Sequence, residues 1–230
     1  MHPSTAILVF TRSAKEESRE KNFAGDGNSG LNLSISTRFI SRTIREVRKS
    51  RIPYFIISSD RQRGSSFGER LTNAFGEIFA AGFENVISVG NDSPQLNAAI
   101  LRAAAQSLEV NKVVLGPDER GGAYLIGIAK SCFHADAFTS FRWNTAELFA
   151  GLLNWSRHSG IKTKVLPPLA DVNFSSDLRK LFGSHHAFLP FLKLLQSIFA
   201  GAGRSFSEPI TRLFIALPPF SLPRRGPPCC

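Results

Sequence analysis

Four short runs of mostly apolar residues mark the first half of the chain: Ala6–Phe10, Tyr54–Ser58, Val86–Gly90 and Lys112–Gly116. Their hydrophobicity is continuous and does not alternate, which suits strands buried on both faces of a parallel sheet. Helical spacing fills the gaps. Thr37–Arg51 lies between the first two runs. Gly68–Gly82 follows the second, with Leu71, Ala74, Phe75, Ile78 and Phe79 on one face and Gly82 as a stop. Pro94–Leu108 follows the third and carries Leu96, Ala99, Ile100 and Ala103. Strand and helix in alternation predict an α/β domain with a doubly wound sheet.

The pattern changes after Gly116. Pro117–Gly122 is turn-rich, and Ala123–Ile128 is another apolar run. So short a connection holds no crossover helix, so this strand should run antiparallel or form a small separate sheet. Asn144-Thr145-Ala146-Glu147 has the spacing of a capping box ahead of a helix at Leu148–Trp155. Lys162–Leu166 reads as a strand, and Asp171–Phe182 as a loop that ends in a short helix. Residues 1–182 thus form the α/β domain. Residues 183–230 add an apolar helix at Phe188–Ala200, expected to pack on the domain or lie on a membrane surface, and a proline-rich basic tail.

Composition narrows the classes. No stretch of about 18 apolar residues exists to cross a bilayer, and the N-terminus lacks the charged region of a signal peptide. Three cysteines, two of them the adjacent Cys229 and Cys230, make no disulfide framework. A cytoplasmic chain is expected. The net charge of +10 is concentrated in Arg38, Arg42, Arg45, Arg48, Lys49 and Arg51, read as the solvated face of one amphipathic helix with Ile40, Ile44 and Val47 opposite. Aromatic residues do not interleave with these cations as a single-strand stacking platform would require, so no nucleic-acid partner is expected. Phosphate-bearing small ligands or an anionic membrane surface explain the charge as well.

Four polar clusters stand at strand ends or in loops: Asn91-Asp92, Asp118-Glu119-Arg120, Trp143-Asn144-Thr145 and Asp171-Val172-Asn173. In a wound sheet such ends converge on one crevice. Asp92 is suited to a hard divalent cation, or else to capping a helix that starts at Pro94. Asp92 and Asp171 together could hold Mg²⁺ or Mn²⁺, although Asp171 also suits a turn after Pro167-Pro168. Asp177 suits the first turn of a helix. Arg120 could contact a diphosphate, and Gly121-Gly122 could let backbone approach a ligand or simply make a tight turn. Gly25–Gly30 fits G-x-G-x-x-G but follows a charged stretch and no strand, so it is read as a loop. His134, His185 and His186 lack zinc spacing, and Cys132 reads as a core residue.

In order, VISVGNDSPQL, VVLGPDERGGAYLIGI, FRWNT and LPPLADVNFSSDL resemble the bacterial family DUF2064 of the glycosyltransferase A superfamily, with weaker support from SSFGERLTNAF. The resemblance covers Ile87–Leu181. It implies a three-layer Rossmann-like fold with a mainly parallel sheet and a small antiparallel part. It also implies a metal-dependent glycosyltransferase using a nucleotide-diphospho-sugar; the alternatives are nucleotidyl transfer, or binding of a nucleotide-sugar without catalysis. Asp92 and Asp171 are then the metal ligands. Asp118 or Glu119 meets the acceptor, Arg12 and Lys15 meet phosphate, and Asn91, Arg120, Gly121, Gly122, Trp143 and Thr145 complete the substrate site. The chain departs from the family in carrying Arg120 and Asn173 where aspartates stand, and in lacking an early basic element, for which Thr11–Lys15 is the nearest substitute. The oligomeric state is left open.

Overall fold

The apolar runs form a single six-stranded sheet; three of the four predicted runs are buried on both faces, while Tyr54–Ser58, at the sheet edge, is only half-buried. In the computed structural model, which describes residues 4–24, 28–183 and 189–201, the strands are β1 (Thr5–Thr11), β2 (Tyr54–Ser58), β3 (Asn85–Val89), β4 (Val113–Pro117), β5 (Ala123–Ala129) and β6 (Thr163–Val165). Their order is β2-β1-β3-β5-β4-β6. The pairs β1–β2, β1–β3 and β4–β6 are parallel, and β5 runs antiparallel to both β3 and β4. The short Pro117–Gly122 connection therefore makes a hairpin inside the main sheet, not a separate one. All seven residues of β1 and all five of β3 are buried.

Helices cover both faces. Helices α3 (Phe67–Ala80), α5 (Ala135–Thr139) and α6 (Leu148–His158) pack Leu71, Phe75, Ile78, Phe138 and Leu152 against Leu8, Val86, Leu115 and Ile126. On the other face, α2 (Ser29–Ser50) and α4 (Ala98–Val110) bring Val47, Leu101 and Leu108 onto Ile7, Ile87 and Val114. This is the expected three-layer α/β/α arrangement. A third cluster joins α2 to α7 (Ser175–Gly183) and α8 (Leu189–Gly201): Phe23 stacks on Phe39 at 5.3 Å, and Phe191 meets Phe39 edge-on at 5.2 Å. The expected C-terminal helix thus packs on the domain through Phe191, Leu195 and Phe199. Among the described residues, no helix is long and apolar enough to cross a membrane. Gly25–Gly27, His185, His186 and the tail with Cys229 and Cys230 lie outside the described residues.

Local expectations are corrected in three helices. The first long helix starts at Ser29, not Thr37, because Asn28 caps it by accepting from the Leu31 amide. Its basic face is not wholly solvated: Arg42 is buried, donating to the Leu96 carbonyl at 3.0 Å and lying over the Phe191 ring. The buried stripe follows Ile35, Phe39, Thr43 and Val47, leaving Ile40 and Ile44 only half-buried. The third helix starts at Ala98, not Pro94, because Asn97 accepts from the Ala99 and Ile100 amides. The third correction concerns α6, whose N-cap is Glu147 with no side-chain cap bond; Thr145 donates instead to the Arg142 carbonyl, so no capping box forms. A genuine capping box starts α3, where Ser66 and Glu69 bond reciprocally.

Candidate functional site

The second of those corrections frees Asp92. With the helix cap moved to Asn97, the Asp92 carboxylate has no capping duty. Strand β1 sits between β2 and β3, so the chain leaves it in opposite directions, and a crevice opens beyond the carboxyl ends of these strands. A cleft of about 1120 Å³ lies there. Its wall brings together Arg12, Asn91, Asp92, Asp118, Arg120, Gly122, Trp143, Thr145 and Asp171 from the sequence-predicted set. Lys15, Glu119 and Gly121 do not line it, and Lys15 and Glu119 are exposed.

The cleft's centre is a network that the sequence reading passed over as a charged stretch. Helix α1 (Ala14–Glu20), capped by Ser13, sends Glu17 and then Lys21 at its C-terminus into the site. Glu17 is 2% exposed, and Lys21 Nζ donates to its Oε1 at 2.8 Å. The same ammonium donates to Asp92 Oδ1. Asn91 Nδ2 donates to Glu17 at 3.0 Å, while Asn91 Oδ1 accepts from the Thr11 hydroxyl at 2.7 Å. Arg12 stands 3.4 Å from the second Glu17 oxygen. Asn91 therefore ties the ends of β1 and β3 to α1. The available signal was the i, i+4 spacing of Glu17 and Lys21, the orientation favoured on a helix.

Asp171 reaches the same place by backbone stitching. The Val172 amide donates to the Asp92 carbonyl at 3.0 Å, the Leu169 amide to Pro117, the Glu119 amide to Leu169 and the Ser175 amide to Asn22. One segment thereby crosses the ends of β4 and β3 and reaches α1. Asn173, uncharged, donates to Asp171 Oδ2. Arg120 places Nη1 3.9 Å from Asp171 and Nη2 2.5 Å from Asp177, with its guanidinium over the Phe174 ring. Asp177 is both a first-turn residue of α7, as read from the sequence, and an Arg120 partner.

The β4–β5 turn has a structural duty. Asp118 Oδ1 accepts from the Arg120 amide at 2.7 Å and the Gly122 amide at 2.8 Å, closing the turn on itself. Gly121 has φ +89°, and a Cβ there would sit 2.0 Å from the Ala146 carbonyl oxygen. Gly121 therefore serves a tight turn packed on the segment before α6, while Gly122 stays on the cleft wall. Trp143 is half-buried, its indole donating to the Phe138 carbonyl at 3.0 Å and packing on Phe67 and Phe138.

Electrostatics follow from one ammonium shared between two carboxylates. Burial works against Glu17, but Lys21, Asn91 and Arg12 hold its carboxyl below the usual range. Burial alone would lower Lys21, yet Asp92 and Glu17 together raise it. Asp92 is left short of counter-charge. Burial in the cleft wall, with Glu17 and Asp171 nearby, outweighs Lys21 and pushes its carboxyl up to about 6. The 38% of the side chain that stays open faces a deep cleft, so it is poorly solvated without being sealed. Asp171 is also raised, by burial and then by Asp118, against Lys21, Asn173 and Arg120. Because the Asp92 value is higher folded than unfolded, the native state keeps this proton while the unfolded chain loses it. Its contribution to stability therefore falls as pH rises from about 4 to about 6. The Tm difference of Asp92→Asn minus wild type should grow across that window and level off above it. A flat or opposite trend would count against the assignment.

Asp92, Asp171 and Asn173 offer the hard oxygen donors that Mg²⁺ or Mn²⁺ prefers. The arrangement nevertheless does not fit such an ion. Lys21 and Arg120 already stand at the two carboxylates. Among the described residues, no group of three or more His, Cys, Asp or Glu side chains converges as a metal site.

Residues 50–145 match DUF2064, described as an uncharacterized protein conserved in bacteria. No curated protein matches the chain in sequence. A solved structure described as "putative nucleotide-diphospho-sugar transferase" from Desulfovibrio desulfuricans G20 superposes with a TM-score of 0.73 at 20% identity, covering 86% of this chain and 97% of that one. Weaker likenesses include a nucleotidyl transferase from Methanothermobacter thermautotroptrophicus, with TM-score 0.47, 14% identity and coverage of 83% and 99%. Another is a mannosyltransferase from Pyrobaculum calidifontis in complex with GDP-Man and Mn²⁺, with TM-score 0.41, 12% identity and coverage of 94% and 79%. Only the first is near enough to support the fold, and its identity is too low to carry activity. Over residues 50–145, from β2 to the cleft residue Thr145, the chain is similar to DUF2064, and its α/β fold is shared with the Desulfovibrio desulfuricans structure.

Proposed function

We propose that the cleft binds a nucleotide-diphospho-sugar through its diphosphate and that the chain transfers the sugar to an acceptor. The observation that carries this reading is the set of four arginines, Arg12, Arg19, Arg70 and Arg120, around a crevice at the sheet's topological switch point. Arginine forks pair with phosphate oxygens through two parallel charge-assisted hydrogen bonds. In glycosyl transfer the acceptor oxygen bonds to the sugar carbon as the sugar–phosphate bond breaks. The diphosphate leaves with the bonding electrons, and the acceptor hydroxyl gives up its proton. The main electrostatic demand is charge on the departing diphosphate, which arginines on the wall would stabilise. The open part of Asp92 is the carboxylate we assign to that proton, with Tyr124 and Trp143 giving the wall its apolar contact.

Nucleotidyl transfer from a nucleoside triphosphate makes the same demand on the arginines and is the close variant. A binder without catalysis is favoured by one specific observation: Asp92 and Asp171 are each ion-paired to a protein cation. A thermal-shift panel of nucleotide-diphospho-sugars and nucleoside triphosphates decides among these. Stabilisation at 100 times Kd should be about 2.7 kcal/mol, a rise of roughly 5–11 °C for a chain of this size. Sugar-nucleotide turnover by the stabilising compound is expected for the enzyme. Stabilisation without turnover would identify the binder, and no shift with any compound would remove the nucleotide reading.

A further inference from the structure

We propose that this cleft takes its diphosphate ligand without a divalent cation, because Lys21 and Arg120 are built into the positions a metal would need. The inference rests on the diphosphate reading above. Lys21 is 6% exposed and bonds to Glu17 and Asp92 at once, with its ammonium 6.0 Å from the centre of the Phe23 ring. An ion binding Asp92 Oδ1 would have to displace that ammonium. Glu17, 2% exposed, would then keep only the more distant Arg12 as a charged partner. A buried carboxylate stripped of its partner is strongly disfavoured, so the lysine should not yield its place.

The second candidate ligand is held in the same way. Arg120 stands beside Asp171 and bonds Asp177, and its guanidinium is braced on Phe174. Asn173, the remaining oxygen donor, turns its amide nitrogen and not its oxygen toward Asp171. Asp118 is engaged by two amides of its own turn. Arg12 is 47% and Arg120 42% exposed, so both keep surface free for phosphate oxygens while serving their internal partners. The fixed cations thus do two jobs: they neutralise the cleft's acids and present positive charge to the ligand.

The test uses the full chain and two probes, UDP and GDP, titrated calorimetrically in EDTA and again with Mn²⁺; Mn²⁺ alone is titrated separately by electron paramagnetic resonance of the free ion. Dissociation constants in the two buffers should agree within about threefold, and Arg12→Ala should weaken binding about tenfold in both. Mn²⁺ alone should show no saturable binding. Tightening of the nucleotide by more than about tenfold with Mn²⁺, or saturable Mn²⁺ binding that Asp92→Asn removes, would overturn the proposal while leaving the diphosphate reading intact. Absence of UDP and GDP binding in both buffers would instead reject the diphosphate reading, and this inference with it.

Discussion

Replacing Lys21 by methionine should lower stability by about 3–5 kcal/mol, the range seen when one partner of a buried ion pair is removed. The side chains are close in length, so little packing is lost. What changes is that Glu17, 2% exposed, keeps Asn91 and Arg12 but loses the cation 2.8 Å away. Asp92, more open, should suffer less from the same loss. The pair should behave as a unit. Glu17→Gln with Lys21→Met should recover most of the deficit, since it removes both buried charges and replaces the carboxylate with an isostere that still accepts from Asn91. Urea denaturation of the four chains in the cycle gives the coupling energy, expected at about 2 kcal/mol or more. Additive losses would mean that the two residues do not share a buried bond.

Gly121→Ala should cost about 2–6 kcal/mol for a different reason. Backbone at φ +89° is open to glycine but strained for any residue with a Cβ, at roughly 1–3 kcal/mol. The new methyl would also lie 2.0 Å from the Ala146 carbonyl oxygen, a backbone atom that cannot rotate away. Overpacking of that kind adds about 1–3 kcal/mol. The Phe149 amide, which donates to the Gly121 carbonyl at 2.9 Å, would be disturbed with it, so the start of α6 should loosen. A Tm lowered by roughly 10 °C is expected, with faster amide exchange at Phe149. A Tm within 2 °C of wild type would show that the turn can shift at little cost.

The sheet was legible because its central strands are nearly unbroken apolar runs, and such runs have few fates besides a buried strand. Helix beginnings were not, because they depend on single side chains. Asn28 and Asn97 set two starts that the apolar spacing and Pro94 misplaced. Arg42 was assigned to solvent because a long cation normally is. Its burial depends on the Leu96 carbonyl and on Phe191, which comes about 150 residues later in the chain. The convergence of Asp92, Arg120 and Asp171 was readable from strand ends, whereas Glu17 and Lys21 were hidden in a run of charges with no apolar marker. Gly121 and Gly122 read equally as a turn or a ligand approach; Gly121 packs on Ala146, which is remote in sequence, while Gly122 stays on the cleft wall.

The stitching of residues 166–175 across the strand ends also sets an order of events during synthesis. Asp92 and the whole of β1, β2 and β3 leave the ribosome before Asp171 exists, so the cleft has no floor on that side until the later segment docks. Contacts separated by about eighty residues close late, after their loop entropy has been met. A nascent chain stopped at the end of β5 would carry the first five strands and the acidic tip of β3 without Arg120's partners Asp171 and Asp177. The cleft wall is therefore complete only once the segment that carries Asp171 and Asp177 has docked on the strand ends.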